Sequence, residues 1–215
     1  WKSILIFSLP LLAGNLFQQL YNTVDSYVVG NFVSSHALAA VGQSTSIINM
    51  LVGFFMGLST GAGVVIAQYF GAKEIKKMQD SIHTSLALTL VLCVLFTFLG
   101  IILARPILDM IGSPKEVLPL AVTYLQIYFA GVSFALIYNM GAGILRALGD
   151  SKNPLIYLVV SSLVNIVLDF VFVIYFDLGV AGVGIATTLA QLVSAILVMH
   201  ELMHTDKDYK VYISK

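Results

Sequence analysis

Residues 155–176 read LIYLVVSSLVNIVLDFVFVIYF, and this stretch decides the class of fold. A helix needs about 20 predominantly apolar residues to cross a hydrocarbon core of about 30 Å, and this segment has that length. Its most polar members are Asn165 and Asp169. An acid placed in hydrocarbon costs roughly 2.5–3.5 kcal/mol on insertion scales. We therefore expect Asp169 to face a cavity or another helix rather than lipid.

The whole chain has the composition of a membrane protein. Of its 215 residues, 59% are hydrophobic and 10% are charged, and its mean hydropathy is +0.95. These values lie far from the balance of soluble domains. We predict an all-α membrane protein in which residues 1–204 form a six-transmembrane-helix bundle and the polar residues 205–215 form a cytosolic linker. The predicted spans are approximately 4–30, 44–70, 82–104, 119–145, 155–176 and 180–203.

The positive charges predict the orientation of this bundle. Nine of the eleven Lys and Arg lie in connectors on one side, whereas Arg105 and Lys115 lie on the other. By the positive-inside rule both ends of the segment are cytoplasmic, and we expect a multi-pass protein of the cell (inner) membrane. No basic face is available for nucleic acid. The nine are Lys2, Lys73, Lys76, Lys77, Arg146, Lys152, Lys207, Lys210 and Lys215.

Several oxygen-bearing side chains share one depth in the predicted bundle. With a rise of about 1.5 Å per residue, Asp25 lies about 8 Å and Asp169 about 10 Å from the outer ends of their spans. Thr187 lies about 10 Å from the outer end of the last span. Asn165 precedes Asp169 by four residues and shares its helical face. We expect these four residues to form a site for a cation or a proton. The alternative is that each polar group bonds a nearby backbone carbonyl and only holds helices together.

A polar stripe also runs along the first span. Its residues recur at i, i+3, i+7 and i+10 or i+11, so the stripe should face water or protein and is a candidate lining for a substrate cleft. An interhelical hydrogen-bond ladder is the alternative. Pro10 should kink this helix and is a hinge candidate. The stripe consists of Asn15, Gln18, Asn22 and Asp25 or Ser26.

The second span carries a strip of small residues. Gly53, Gly57 and Gly61 repeat every four residues. Such a strip allows another helix to approach closely, so we predict tight helix packing there.

One motif suggests an enzyme instead. His200, Glu201 and His204 spell H-E-x-x-H, the zinc-protease pattern. A catalytic zinc needs a third protein ligand, and the only later carboxylates are Asp206 and Asp208 in the polar tail. Histidines at the end of a helix also cap its carbonyls. We interpret the motif as a chance match, with no metal, no cofactor and no catalytic residue.

Four stretches together resemble the amino-terminal half of MATE transporters, the multidrug and toxic compound extrusion family. They are PLLAGNLFQQLYNTVDSYVVG (10–30), QYFGAKE (68–74), ILRALGDSKNP (144–154) and the pairing of NIVLD (165–169) with GVAGVGIATTLAQ (179–191). The resemblance implies one lobe of a twelve-helix, two-lobe secondary active antiporter. Such proteins export organic, mostly cationic compounds in exchange for Na⁺ or H⁺ by alternating access.

The same resemblance assigns roles to particular residues. It implies an ion or proton site at Asp25, Asn165, Asp169 and Thr187, with Tyr124 in the same network. Asn139 resembles a further polar position facing the cleft. Since one lobe supplies one wall of the cleft, transport requires the missing carboxy-terminal lobe or a partner chain. Flippases of lipid-linked precursors in the same superfamily remain the alternative, because a fold does not fix its cargo.

Overall fold

The computed structural model describes residues 2–205 and 209–211, and this part of the chain is helical without strands. The predicted all-α six-helix class is confirmed. Lys207, Lys215, the side chain of Lys2 and most of the predicted linker lie outside what is described. The helices are α1 (Lys2–Phe32), α2 (Ser35–Gly71), α3 (Ile75–Met110), α4 (Leu118–Ala147), α5 (Lys152–Asp169) and α6 (Gly179–His204), with a π-helical turn (Phe170–Tyr175) after α5.

Two helices extend well beyond the spans predicted from hydropathy. α2 begins at Ser35 rather than at residue 44, and Ser34 caps it by accepting a 3.1 Å hydrogen bond from the Ala37 N–H. α3 covers Ile75–Met110 instead of 82–104. Hydropathy detects only the part of a helix that lies in hydrocarbon, whereas backbone hydrogen bonding continues into the interface. Among the described helices, the five after α1 are long and apolar enough to cross a membrane.

α4 is the central helix of the bundle. It packs against α2, α3 and α6, and half of the residues in its most apolar stretch are buried. α1 lies at the periphery, where it packs mainly against α5 and also contacts α2 and α6. α1, α5 and α6 are therefore neighbours. This places Asp25, Asp169 and Thr187 on three adjoining helices.

The buried apolar residues form two clusters, one toward each end of the bundle. We call outer the end with the α1–α2, α3–α4 and α5–α6 connections, and inner the end with the α2–α3 and α4–α5 connections. Leu125 belongs to the outer cluster and Leu145 to the inner one. Tyr209 and Val211 also belong to the inner cluster, and the Val211 N–H donates to the Leu202 carbonyl at 2.8 Å. Part of the segment predicted as a linker thus packs onto the bundle.

Glycines mark the closest helix contacts, but the predicted strip on α2 is not among them. A Cβ on Gly131 would collide with Thr188 of α6, whereas nothing lies within 4 Å of a Cβ at Gly53, Gly57 or Gly61. The prediction of tight packing along that strip is therefore wrong within the described chain. A four-residue period identifies a smooth face but not the neighbour that covers it, and the buried face of α2 instead contains Phe55, Ser59 and Gly63.

We expect Gly131→Ala to destabilise the bundle, because the added methyl group must separate α4 from the branched side chain of Thr188. Overpacking of this kind costs about 1–3 kcal/mol, which corresponds to a melting temperature lower by roughly 2–10 °C. Thermal unfolding of the purified full-length protein in detergent measures this change.

Gly42→Ala is the matched control, since nothing lies within 4 Å of a Cβ at that position. It should leave the melting temperature unchanged or slightly raised, as alanine favours helix. Equal melting temperatures for the two variants would contradict the close contact between α4 and α6.

Candidate ion-binding site and adjoining cavity

Two carboxyl groups meet where α1 packs against α5. Asp25 retains 5% of its exposure and Asp169 retains none. Their side chains lie within hydrogen-bonding reach of each other. The depth and periodicity of these positions predict such an approach, and the structure brings the two acids together.

The other predicted members of the site surround this pair. The Asn165 Nδ2 donates to the Thr187 Oγ1 at 3.5 Å, and both residues are buried. Tyr124 is 4% exposed and close enough to Asp25 and Asp169 to interact with both electrostatically. The five residues predicted as an ion site thus form one cluster built from α1, α4, α5 and α6. Their role as ion ligands stays a prediction.

The cluster contains an excess of hydrogen-bond acceptors. Apart from the contact between the two acids, no described donor reaches Asp25 Oδ1, Asn165 Oδ1 or either carboxyl oxygen of Asp169, and all four atoms are buried. Buried polar atoms are nearly always hydrogen-bonded. A buried polar atom without a partner lowers the stability of the fold, by an amount that depends on its surroundings. A site with surplus oxygens and few donors is therefore complementary to a proton or a small cation.

Charge repulsion leads to the same requirement. Two carboxylates in contact and shielded from water cannot both remain ionised without a counter-charge. At least one of Asp25 and Asp169 therefore takes up a proton, as in paired carboxyl groups elsewhere, or the pair holds a cation. Asp, Asn and Thr oxygens serve as ligands for either.

A cavity of about 390 Å³ adjoins this cluster. Asp25 lies on its wall, whereas Asp169 is fully buried behind Asp25 and does not line it. Ser26, the alternative member of the polar stripe, is exposed and donates to the Asn22 carbonyl. The predicted residues that line the cavity are Pro10, Asn15, Gln18, Asn22, Asp25, Tyr124, Asn139, Asn165 and Thr187.

Asn139 lies on the cavity wall apart from the acid cluster. Its Nδ2 donates to the Ala135 carbonyl at 2.8 Å, and its own carbonyl accepts from the Ser59 Oγ at 2.9 Å. The first bond is local to α4 and the second joins α2 to the backbone of α4, so Asn139 contributes a polar surface to the cavity without contacting Asp169.

Sequence reasoning missed several residues of the cavity wall. Tyr21, Tyr128, Ser161 and Gln191 all line it. Each lies one helical turn from a predicted site residue: four before Asp25, four after Tyr124, four before Asn165 and four after Thr187. Residues spaced by four share a helical face, so extending each predicted position by one turn is the signal that finds them.

The H-E-x-x-H residues lie at the inner end of α6, away from the cavity wall. The rings of His200 and His204 stack with centroids 4.4 Å apart, and His204 Nδ1 lies 3.1 Å from the His200 carbonyl. In the described part of the chain, no three His, Cys, Asp or Glu side chains come together as a metal site would need. Asp206 and Asp208 lie outside the described residues.

Comparison with characterised sequences identifies relatives over nearly the whole chain. The probable multidrug resistance protein YpnP of Bacillus subtilis is 35% identical over 190 residues, which cover 88% of this chain and 43% of YpnP. The multidrug export protein MepA of Staphylococcus aureus is 28% identical over 204 residues, which cover 91% of this chain and 44% of MepA. The chain spans about half the length of these relatives.

Solved structures show the same relation. An outward-facing multidrug resistance MATE family transporter of the MOP superfamily matches 99% of this chain with a TM-score of 0.92 and 29% identity, over 47% of its own chain. An inward-facing MATE family transporter matches 89% with a TM-score of 0.84 and 30% identity, over 43% of its chain. The fold is consistent with one lobe of a two-lobe transporter. The MatE family model matches residues 10–171, and the chain therefore belongs to the MatE family, the MATE transporters.

Proposed function

We propose that this chain is the amino-terminal lobe of a secondary active antiporter that exports organic, mostly cationic compounds in exchange for Na⁺ or H⁺. The observation that carries the proposal is the group of buried acceptor oxygens at Asp25, Asn165 and Asp169 that lack described donors. These oxygens belong to two helices, α1 and α5. An ion bound there bridges the helices, and its release leaves their carboxylates in mutual repulsion.

This repulsion supplies the coupling between ion and conformation. A ligand shifts an equilibrium between two states only by its difference in affinity for them. The state that holds Asp25 against Asp169 binds the proton or cation tightly, whereas a state that separates α1 from α5 binds it weakly. Alternating access then follows from movement of α1 against the rest of the lobe, with Pro10 in α1 as the hinge candidate.

The cavity provides the route to the site. Because Asp25 and Asn165 line the cavity and Asp169 lies behind them, an ion reaches Asp169 by way of these two residues. The coupling ion is H⁺ or Na⁺, and no other cofactor is required. One elementary charge moving through 100 mV releases about 2.3 kcal/mol, which changes an equilibrium constant by roughly fiftyfold.

The proposed cargo and partners follow from the cavity and from the length of the chain. Tyr21 and Tyr124 lie near Asp25, and Tyr128 lies near these two tyrosines on the cavity wall. Aromatic faces attract organic cations. One lobe forms one wall of a cleft, so the complete transporter needs a carboxy-terminal lobe or a second chain. We place it in the cell inner membrane, with both ends of this segment in the cytoplasm.

We predict that Asp169→Asn in the full-length protein abolishes ion-coupled drug resistance while expression and folding remain intact. The asparagine keeps the shape of the side chain but removes its titratable charge. Dye efflux from cells with an imposed ion gradient and growth in the presence of cationic drugs measure the effect. We expect a loss of at least tenfold in efflux rate.

Asp109→Asn is the matched control, since Asp109 is exposed near the outer end of α3 and pairs there with Arg105 at 3.9 Å. It should transport normally. Wild-type resistance in Asp169→Asn would remove Asp169 from the mechanism.

A second prediction separates the transporter from a metalloprotease. His200→Ala and His204→Ala should leave transport near normal, because both side chains lie outside the cavity wall. Elemental analysis of the purified full-length protein should show no stoichiometric zinc. One zinc bound per chain, and lost in these variants, would restore the enzyme hypothesis.

A further inference from the structure

A second charged residue lines the cavity, far from the two acids. Arg146 belongs to the last turn of α4 and is half-buried on the cavity wall. It lies 22 residues along α4 from Tyr124, which at 1.5 Å per residue is about 33 Å. The cavity is thus bipolar, with Asp25 toward its outer end and Arg146 at its inner end. Arg146 and Asp25 are the only charged residues on its wall within the described chain.

The guanidinium of Arg146 has no carboxylate partner among residues 2–205 and 209–211. The ion pairs formed there are His36–Glu116, Lys77–Glu74 and Arg105–Asp109. A half-buried cation without a counter-charge is costly, because water no longer solvates it fully.

The nearest acid in the sequence, Asp150, is occupied elsewhere. Its Oδ1 accepts from the backbone N–H groups of Lys152 and Asn153, each at 3.1 Å, and its Oδ2 accepts from the Asn153 Nδ2 at 2.7 Å. Asp150 therefore caps the amino end of α5 and satisfies backbone donors there. None of the ion pairs among the described residues joins Asp150 to Arg146.

A second donor lies five residues after Arg146, at the start of α5. Ser151 is 6% exposed, lines the cavity, and makes no capping hydrogen bond with its hydroxyl. Tyr138, which interacts electrostatically with Arg146, directs its own hydroxyl to the Pro154 carbonyl at 2.9 Å. Within the described chain, the inner end of the cavity thus presents a guanidinium and a hydroxyl without a hydrogen-bond partner, and no acid lines the wall there.

From this arrangement we infer that Arg146 and Ser151 form an oxyanion-binding subsite at the inner end of the cavity. The guanidinium fork matches the geometry of a carboxylate or a phosphate and binds either in a bidentate manner. The inference rests on the proposed function in one respect, that the cavity holds cargo. It extends that function by naming a cargo class: compounds that carry an oxyanion, alone or together with a cationic group that faces Asp25.

Equilibrium binding to the purified full-length protein in neutral detergent tests this inference without any ion gradient. The oxyanion probes are fluorescein, a soluble carboxylate, and a fluorescent phosphatidylglycerol, a lipid phosphate. Tetraphenylphosphonium is the cationic probe. We expect Arg146→Gln to weaken the binding of at least one oxyanion probe about tenfold, as loss of a charged hydrogen bond does, and to leave the cationic probe bound as tightly as before. The probe that responds identifies the source as soluble cargo or lipid headgroup.

Lys152→Gln is the matched control, because Lys152 is an exposed cation at the same end of the bundle and does not line the cavity. It should bind all three probes normally. Arg146→Lys, which keeps the charge, should lose less affinity than Arg146→Gln. If Arg146→Gln does not fold, Ser151→Ala takes its place, with an expected loss of about threefold.

Two results would overturn the subsite. One is a loss of less than threefold for both oxyanion probes in Arg146→Gln, or no loss in Ser151→Ala where that variant replaces it. The other is an equal loss in Arg146→Gln and Lys152→Gln, which would indicate general surface charge. Because binding is measured at equilibrium, failure of the Asp169 mechanism and failure of this subsite give separate results.

Discussion

The contact between Asp25 and Asp169 is the constraint on which the rest of the site depends. Both acids are almost completely buried, and no described basic residue forms an ion pair with either. Two buried carboxyl groups in contact are unstable when both are ionised without a counter-charge. In the function we propose, the packing of α1 on α5 therefore depends on the bound proton or cation. This dependence is what would couple the ion to the conformation of the lobe.

The acid pair lies at the edge of the most tightly packed part of the lobe. α4 is held on three sides by α2, α3 and α6, whereas α1 packs chiefly on α5. Directly after Asp169, the helix changes to a π-helical turn, and the Leu178 N–H bonds back to the Phe172 carbonyl at 3.0 Å. Such turns in α-helices occur frequently at functional sites. The acid pair therefore lies between a firmly packed core and a helix with fewer constraints.

The sequence predicts the class of fold and four members of the acid cluster because both follow from periodicity and depth, whereas Tyr124 follows only from the family resemblance. Asn165 and Asp169 share a face by spacing alone, and hydrophobic length identifies the spans. Contacts between distant elements are beyond such reasoning. The packing of the tail at Tyr209 onto the inner core and the open face along Gly57 depend on tertiary neighbours. In the sequence, Arg146 is only one of the nine positive charges that predict the orientation of the bundle. Its position on the cavity wall is visible only in the structure.

The central claim is that Asp25 and Asp169 together hold one proton or one cation. A high-resolution structure of the full-length protein, determined with and without Na⁺, tests it most directly. We expect either a Na⁺ coordinated by oxygens of Asp25, Asn165 and Asp169, or a short carboxyl–carboxylate hydrogen bond of about 2.5–2.7 Å. Two well-separated carboxylates, each paired with its own donor and with no ion between them, would contradict it.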